Sequence, residues 1–229
     1  MASNELSQSA SKPRVLVMIS GSGSNLQALL DAQPKLNIIH VLSNRKAAYG
    51  LTRAANATLP VSTSVFALKP YLTAHPGKTR EDYDSQLAEL VVEQRPDLIV
   101  LAGWMHILSS KFLSKLFHPE RAESSSASQD KKPIPIINLH PALPGAFDGA
   151  HAIERAWQAF QDGKITKTGV MVHEVVSEVD KGRPLAVREV ECRQGESVEA
   201  LEARIHAVEH DVLVEATQKL AREIEQAES

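Results

Sequence analysis

A single cysteine, Cys192, stands in 229 residues. One thiol can form neither an internal disulfide nor a cysteine-based zinc cage, so the chain reads as a protein of a reducing compartment that relies on its core. Aromatic residues are scarce at 4%, with five Phe, three Tyr and two Trp, which argues against a base-stacking platform. Basic charge is not in surplus either. The 25 Lys and Arg face 28 Asp and Glu, a net charge of −3, and leave nothing over to neutralise a nucleic-acid backbone or grip an anionic membrane. No apolar run approaches the roughly 20 residues that cross a bilayer. The expected partners are therefore small molecules, with no nucleic acid and no membrane.

What is present is ordinary for a globular protein: 43% hydrophobic and 23% charged residues, in a length that suggests one domain or at most two. The opening MASNELSQSASKP is polar and Ser-rich and lacks the apolar stretch of a signal peptide. Residues 1–12 are read as a disordered leader on a cytoplasmic protein, and 13–229 as one domain. Within it, HPERAESSSASQDKKP (118–133) is too rich in Ser, charge and Pro to pack, and reads as a surface insertion.

The remainder alternates between two periodicities. Short, mostly apolar runs at Arg14–Ser20, Leu36–Leu42, Val61–Leu68, Asp97–Ala102 and Ile134–Leu139 have the character of strands covered on both faces. Helical patterns lie between them. After Thr79, which forms a capping-box pattern with Asp82, Tyr83, Leu87, Leu90 and Val91 recur on one face. Strands are also expected at Thr168–Val175 and Pro184–Val190, then a long helix from about Val198 to Ile224 with Ser197 as N-cap. Its apolar stripe is Leu201, Ile205, Val208, Val212 and Leu220. Such alternation predicts an α/β fold with a mainly parallel, twisted sheet and helices on both faces. Ligands of such sheets bind beyond the carboxyl ends of the strands, where strand order reverses. That singles out the loops at 20–25, 103–108 and 138–149.

SGSGSN (20–25) follows a strand and opens a helix. Gly21 and Gly23 permit a tight backbone, and free amides at the helix start suit a phosphate. The third glycine of a dinucleotide fingerprint and the Gly-Lys-Ser/Thr of a Walker loop are both missing. A phosphorylated small molecule fits better than NAD or ATP. INLHPALPG (137–145) places Asn138 and His140 two apart at a strand end, on one side of extended backbone. An amide and an imidazole there can donate to a developing oxyanion and move a proton. Further on, VMVHEVVSEVDKGRPL supplies His173 near a strand end and Asp180 behind it. A carboxylate facing His140 is expected to raise its pKa and favour the imidazolium. HAVEH (206–210) matches one zinc-peptidase pattern, in which His206 and His210 would share a metal. No other region offers a third ligand, and the polar face of a helix is the simpler reading.

Seven blocks in order, SGSGSNLQAL, VLSNRKAAYGL, TREDYD, PDLIVLAGWMHILS, INLHPALPG, VHEVVSEVDKGRP and ARIHAVEH, resemble the phosphoribosylglycinamide formyltransferases, a folate-dependent family of purine synthesis. The resemblance spans about Arg14 to His210 and implies a Rossmann-like fold. It implies transfer of a formyl group from 10-formyltetrahydrofolate, as cosubstrate, to the amino group of glycinamide ribonucleotide, with no metal and no tightly bound cofactor. Asn138, His140 and Asp180 match the family's catalytic trio. Gly23, Ser24 and Asn25 match its phosphate loop, and His206 and Glu209 its further ribonucleotide contacts. The folate set is Arg80, Met105, His106, Ile107, Leu108 and Asn138 with Val176, Ser177, Glu178, Val179 and Asp180.

Three features depart from the family pattern: His106 where bacterial relatives commonly carry Arg, PALPGAFDG at 141–149, and the long insertion. Competing readings are a methionyl-tRNA formyltransferase, expected to add a C-terminal domain and a basic surface, and a formyltetrahydrofolate hydrolase, expected to add an N-terminal regulatory domain. A noncatalytic phosphosugar-binding module would not need Asn138, His140 and Asp180 together.

Overall fold

A computed structural model describes residues 12–33, 35–117 and 132–228. All of the expected leader but Lys12, and all of the expected insertion but Lys132 and Pro133, lie outside these residues. The first strands and helices alternate as β1 (Arg14–Ile19), α1 (Ser24–Asp31), β2 (Asn37–Ser43), α2 (Tyr49–Ala55) and β3 (Ser62–Val65). Then follow α3 (Leu68–Ala74), α4 (Arg80–Glu93), β4 (Leu98–Leu101), α5 (Ser110–Phe117) and β5 (Ile136–His140). α6 (Ala152–Gln161) leads to β6 (Lys167–Glu174), β7 (Pro184–Glu191) and the long α7 (Val198–Glu228).

The seven strands form one sheet in the order β3-β2-β1-β4-β5-β6-β7. β1 to β5 are mutually parallel, whereas β6 runs antiparallel to β5 and β7 antiparallel to β6. Alternation along β1 shows why both faces are covered. Val15, Val17 and Ile19 pack with Leu26, Leu29, Ile205 and Val212 of α1 and α7, while Leu16 and Met18 pack with Tyr83, Leu87 and Phe112 of α4 and α5. A strand buried on both sides must be apolar at every position, as RVLVMI nearly is.

The third strand corrects the expectation of full coverage. It is a four-residue edge strand, and all of Ser62–Val65 is exposed. The apolar Phe66 leaves it and stacks on Tyr83, ring centroids 4.7 Å apart. Local signals elsewhere act as read. The Thr79 hydroxyl accepts from Asp82 N–H at 3.2 Å and the Asp82 carboxylate from Thr79 N–H at 2.8 Å, starting α4. Ser197 Oγ accepts from Ala200 N–H at 3.3 Å at the head of α7. No helix among the described residues is long and apolar enough to cross a membrane.

The chain goes from β1 outward to β2 and β3, then returns to the other side of β1 for β4 and β5. The reversal lies between β1 and β4, so the loops after β1, β4 and β5 open side by side. Hydrogen bonds tie the first two of these loops together: Ser20 N–H donates to Gly103 O at 3.1 Å, and Met105 N–H to Ser20 Oγ at 2.8 Å.

Candidate active site

The loop after β1 is shaped by one close approach. Gly23 is left-handed (φ 73) at the N-cap of α1, and a Cβ there would lie 2.6 Å from Gly50 Cα of α2. A side chain at either position would push loop and helix apart. Gly50 N–H donates to Gly21 O at 3.2 Å, and Arg53 Nε to Ser22 O at 2.9 Å. The amides of Ser24 and Asn25 are thereby presented at a helix start, where partial positive charge favours an anion.

α7 meets this loop from the side. Asn25 Nδ2 donates to Glu209 Oε2 at 3.1 Å, and His206 Nε2 lies 4.0 Å from the same oxygen. Glu209 is only 5% exposed. Burial pushes its carboxyl pKa up, against the opposing pull of Asn25 and His206. Asn25 Oδ1 is buried with no hydrogen-bond partner among the described residues. The five expected ribonucleotide residues, Gly23, Ser24, Asn25, His206 and Glu209, thus come together around one helix start. Among the described residues no group of three or more His, Cys, Asp or Glu is arranged to hold a metal ion. The HAVEH segment instead turns Glu209 to Asn25.

The central group forms where β5 pairs with β6. Asn138 and His140 project from β5, and antiparallel register sets Asn138 opposite His173. Asn138 Nδ2 lies 3.1 Å from His173 Nε2 and 3.4 Å from Asp180 Oδ1. His173 Nδ1 donates to Glu174 O at 2.8 Å, and its Nε2 also lies 3.3 Å from Asp180 Oδ1, so this one ring ties the Asn138 amide and the carboxylate together. His140 Nδ1 stands 3.5 Å from Asp180 Oδ2, and this oxygen also accepts from Gly149 N–H at 2.8 Å. His140 is 4% exposed, and its Nε2 is buried with no partner among the described residues. An imidazole nitrogen left unpaired beside an oriented amide is placed to serve a substrate.

One electrostatic expectation is corrected here. Asp180 does favour the imidazolium of His140, but burial outweighs it and His173 adds to the lowering, so the ring pKa falls below its ordinary value. Asp180 goes the other way. Burial disfavours its charge, yet His173, the Gly149 amide and His140 together hold its carboxyl below the usual range. The ligand-free pair is accordingly a neutral imidazole facing a carboxylate. With Asp180 at Nδ1, we assign the ring proton to Nδ1, leaving the lone pair on Nε2.

The expected folate residues divide into two kinds. Met105 (77% exposed) and Ile107 (60% exposed) leave an apolar rim on the loop after β4, and Val176 and Val179 are exposed on the loop after β6. Arg80, the first residue of α4, donates from Nη2 to Ile107 O at 2.5 Å and braces that rim. Ser177 donates to the Glu178 carboxylate at 2.8 Å on the opposite loop. His106 and Leu108 turn away from it. His106 Nε2 lies 2.6 Å from Asp84 Oδ1, Asp84 also accepts from Ser109 N–H at 3.0 Å, and Leu108 joins the core beside α5. A buried carboxylate with two partners anchors the loop from beneath and engages the Nε2 edge of the His106 ring. Gly182 closes the other loop. Its Cβ would fall 1.6 Å from Glu174 O, so only glycine lets this segment turn back on β6.

His173 is a site residue outside the expected trio. Its partnership with Asn138 depends on strand register, and its place near a strand end was the one local signal.

Comparison with known proteins agrees with this geometry. The formyl transferase family matches residues 13–120 and 125–217. The phosphoribosylglycinamide formyltransferase of Schizosaccharomyces pombe is 50% identical over 213 residues, 90% of this chain and 96% of its own. That of Saccharomyces cerevisiae is 46% identical over 227 residues, 92% of this chain and 98% of its own. The crystal structure of phosphoribosylglycinamide formyltransferase from Campylobacter jejuni superposes with a TM-score of 0.75 at 31% identity, covering 92% of this chain and 98% of that one. A glycine loop opening a helix, an Asn-His pair backed by an aspartate, and relatives matched over nearly their whole length lead to one conclusion: the chain belongs to the formyl transferase family, among its phosphoribosylglycinamide formyltransferases.

Proposed function

We infer that this chain transfers the formyl group of 10-formyltetrahydrofolate to the amino group of glycinamide ribonucleotide, a one-carbon step of purine synthesis in the cytoplasm. The observation that carries the mechanism is the unpartnered, buried Nε2 of His140, with Asn138 beside it and Asp180 behind it.

The loop at Gly23–Asn25 holds the phosphate, and Glu209 and His206 hold the sugar end of the ribonucleotide, extending the substrate amine toward β5. Folate lies along the apolar rim of Met105 and Ile107 and beside Val176 and Val179, with its pterin edge read by backbone groups and its acidic tail directed toward Arg80. The amine attacks the formyl carbon, forming a C–N bond and a tetrahedral oxyanion. His140 Nε2 takes the proton released by the amine, directly or through one water, and becomes an imidazolium that Asp180 stabilises. Asn138 Nδ2 and the new Nε2–H then hold the oxyanion. Collapse of the intermediate breaks the bond to the folate nitrogen, which leaves with the proton returned by His140. The amine is itself the nucleophile, so this chemistry calls for no group beyond the two substrates.

The test is a formyl-transfer assay offering glycinamide ribonucleotide, charged initiator tRNA and water as acceptors. Transfer to the ribonucleotide alone is expected. Preferred transfer to tRNA or to water would replace this reading by one of its relatives.

A further inference from the structure

We propose that Asp148 and Lys181 form a latch between the loop after β5 and the loop after β6, making both of them positioning residues for the catalytic carboxylate Asp180. The inference rests on the formyl-transfer reading above and adds two residues to its machinery.

The contact is double. Lys181 Nζ donates to the Asp148 carboxylate, and next along each strand of contact Gly149 N–H donates to Asp180 Oδ2 at 2.8 Å. That oxygen is the one 3.5 Å from His140 Nδ1. Asp180 is also left-handed, with φ 56. A non-glycine residue keeps such a conformation only where its surroundings impose it. The latch supplies that imposition from both neighbours, the amide before its carboxylate and the ammonium after its backbone.

The other half of the latch is itself fixed. Arg155 of α6 donates from Nη2 to the carbonyls of Phe147 and, at 2.7 Å, Asp148. Phe147 is left-handed too, with φ 52. Residues 147–149 therefore form a shelf pinned from α6, and Lys181 bolts the more exposed folate loop to it. Side chains of the pair are 52% and 33% exposed. An ion pair so open to water contributes little to global stability, so its effect should be felt in where Asp180 points rather than in whether the chain folds.

The groups acting on the His140 ring are Asp180, His173, the Ala146 backbone and Asp148, with Lys181 and Arg155 beyond Asp148. This permits a test that separates position from field. Asp148→Asn, Lys181→Met and the double variant are compared with wild type by NMR titration of His140 in ligand-free protein and by single-turnover formyl transfer. A latch requires the ring pKa to fall in all three, because Asp180 swings away in each. It also requires turnover to drop roughly 3- to 10-fold in each single variant with the KM for ribonucleotide unchanged. The double variant should be no worse than the poorer single one. Lys181→Arg should restore both readouts, and melting temperatures should stay close to wild type. Opposite pKa shifts in the single variants that cancel in the double one would show two charges acting only through their fields, and would overturn the latch. So would wild-type turnover in Lys181→Met. The titration does not depend on activity, so a wild-type protein unable to transfer formyl groups would remove the functional reading while the ring pKa still judged the latch.

Discussion

His140 and Asp180 face one another at 3.5 Å inside the protein, each almost wholly buried, and they pull in opposite electrostatic directions. Burial favours the uncharged ring, whereas the carboxylate favours the charged one. In the formyl-transfer mechanism proposed above, the ring is thus a base at neutral pH that becomes an acid only when a substrate proton arrives.

Removing the charge of Asp180 should therefore deepen an existing bias. In Asp180→Asn the ring pKa is expected to fall further, and formyl transfer to fall with it, as followed by NMR titration and single-turnover kinetics. Asn138→Ala should cost on the order of 10² to 10³ in turnover, and His140→Ala at least as much. Asn138→Ala combined with Asp180→Asn should cost less than the product of the two, since both act on one transition state. Near-normal turnover and an unmoved ring in Asp180→Asn would reduce this aspartate to a turn residue.

The phosphate loop carries a second expectation. Ser24→Asp places a negative charge at the start of α1, where a ligand phosphate is expected. Calorimetric titration should show ribonucleotide binding weakened far more than folate binding. Equal losses for both ligands in a folded protein would detach the loop from the phosphate.

Glu209 illustrates a site held at the expense of stability. Its raised pKa means that the folded state resists its charge, so its contribution is most favourable below about pH 4.5 and is lost as pH rises through the raised value. Glu209→Gln keeps an acceptor for Asn25 and removes the buried charge. Thermal melts at pH 7 to 8 should show stabilisation on the order of 0.5 to 2 kcal/mol, shrinking toward pH 4.5, while ribonucleotide affinity drops. A variant less stable than wild type at pH 8 would contradict this account.

Gly182 offers a steric check on the folate loop. A methyl group there has no room against the Glu174 carbonyl, and the loop must shift or the start of the hairpin must open. Gly182→Ala should cost on the order of 2 to 4 kcal/mol in chemical denaturation, with folate affinity falling more than ribonucleotide affinity. Wild-type stability together with wild-type folate binding would show that the loop is free to relocate.

Much of this protein was legible locally. Thr79 and Asp82 meet three residues apart at a helix start, Gly21 and Gly23 sit between a strand and a helix, and Asn138 and His140 share one side of a strand by pleat alone. These features depend on neighbours along the chain, and periodicity or spacing reveals them. The tertiary structure decided the rest. It made β6 and β7 antiparallel, which set His173 against Asn138. It left β3 exposed at the edge of the sheet and turned His106 inward to a buried Asp84. It also reversed the expected shift of His140, because the cost of burying a charge is set by every atom that displaces water around the ring. Strand register and desolvation join residues far apart in the chain, and no local pattern of residue types encodes either one.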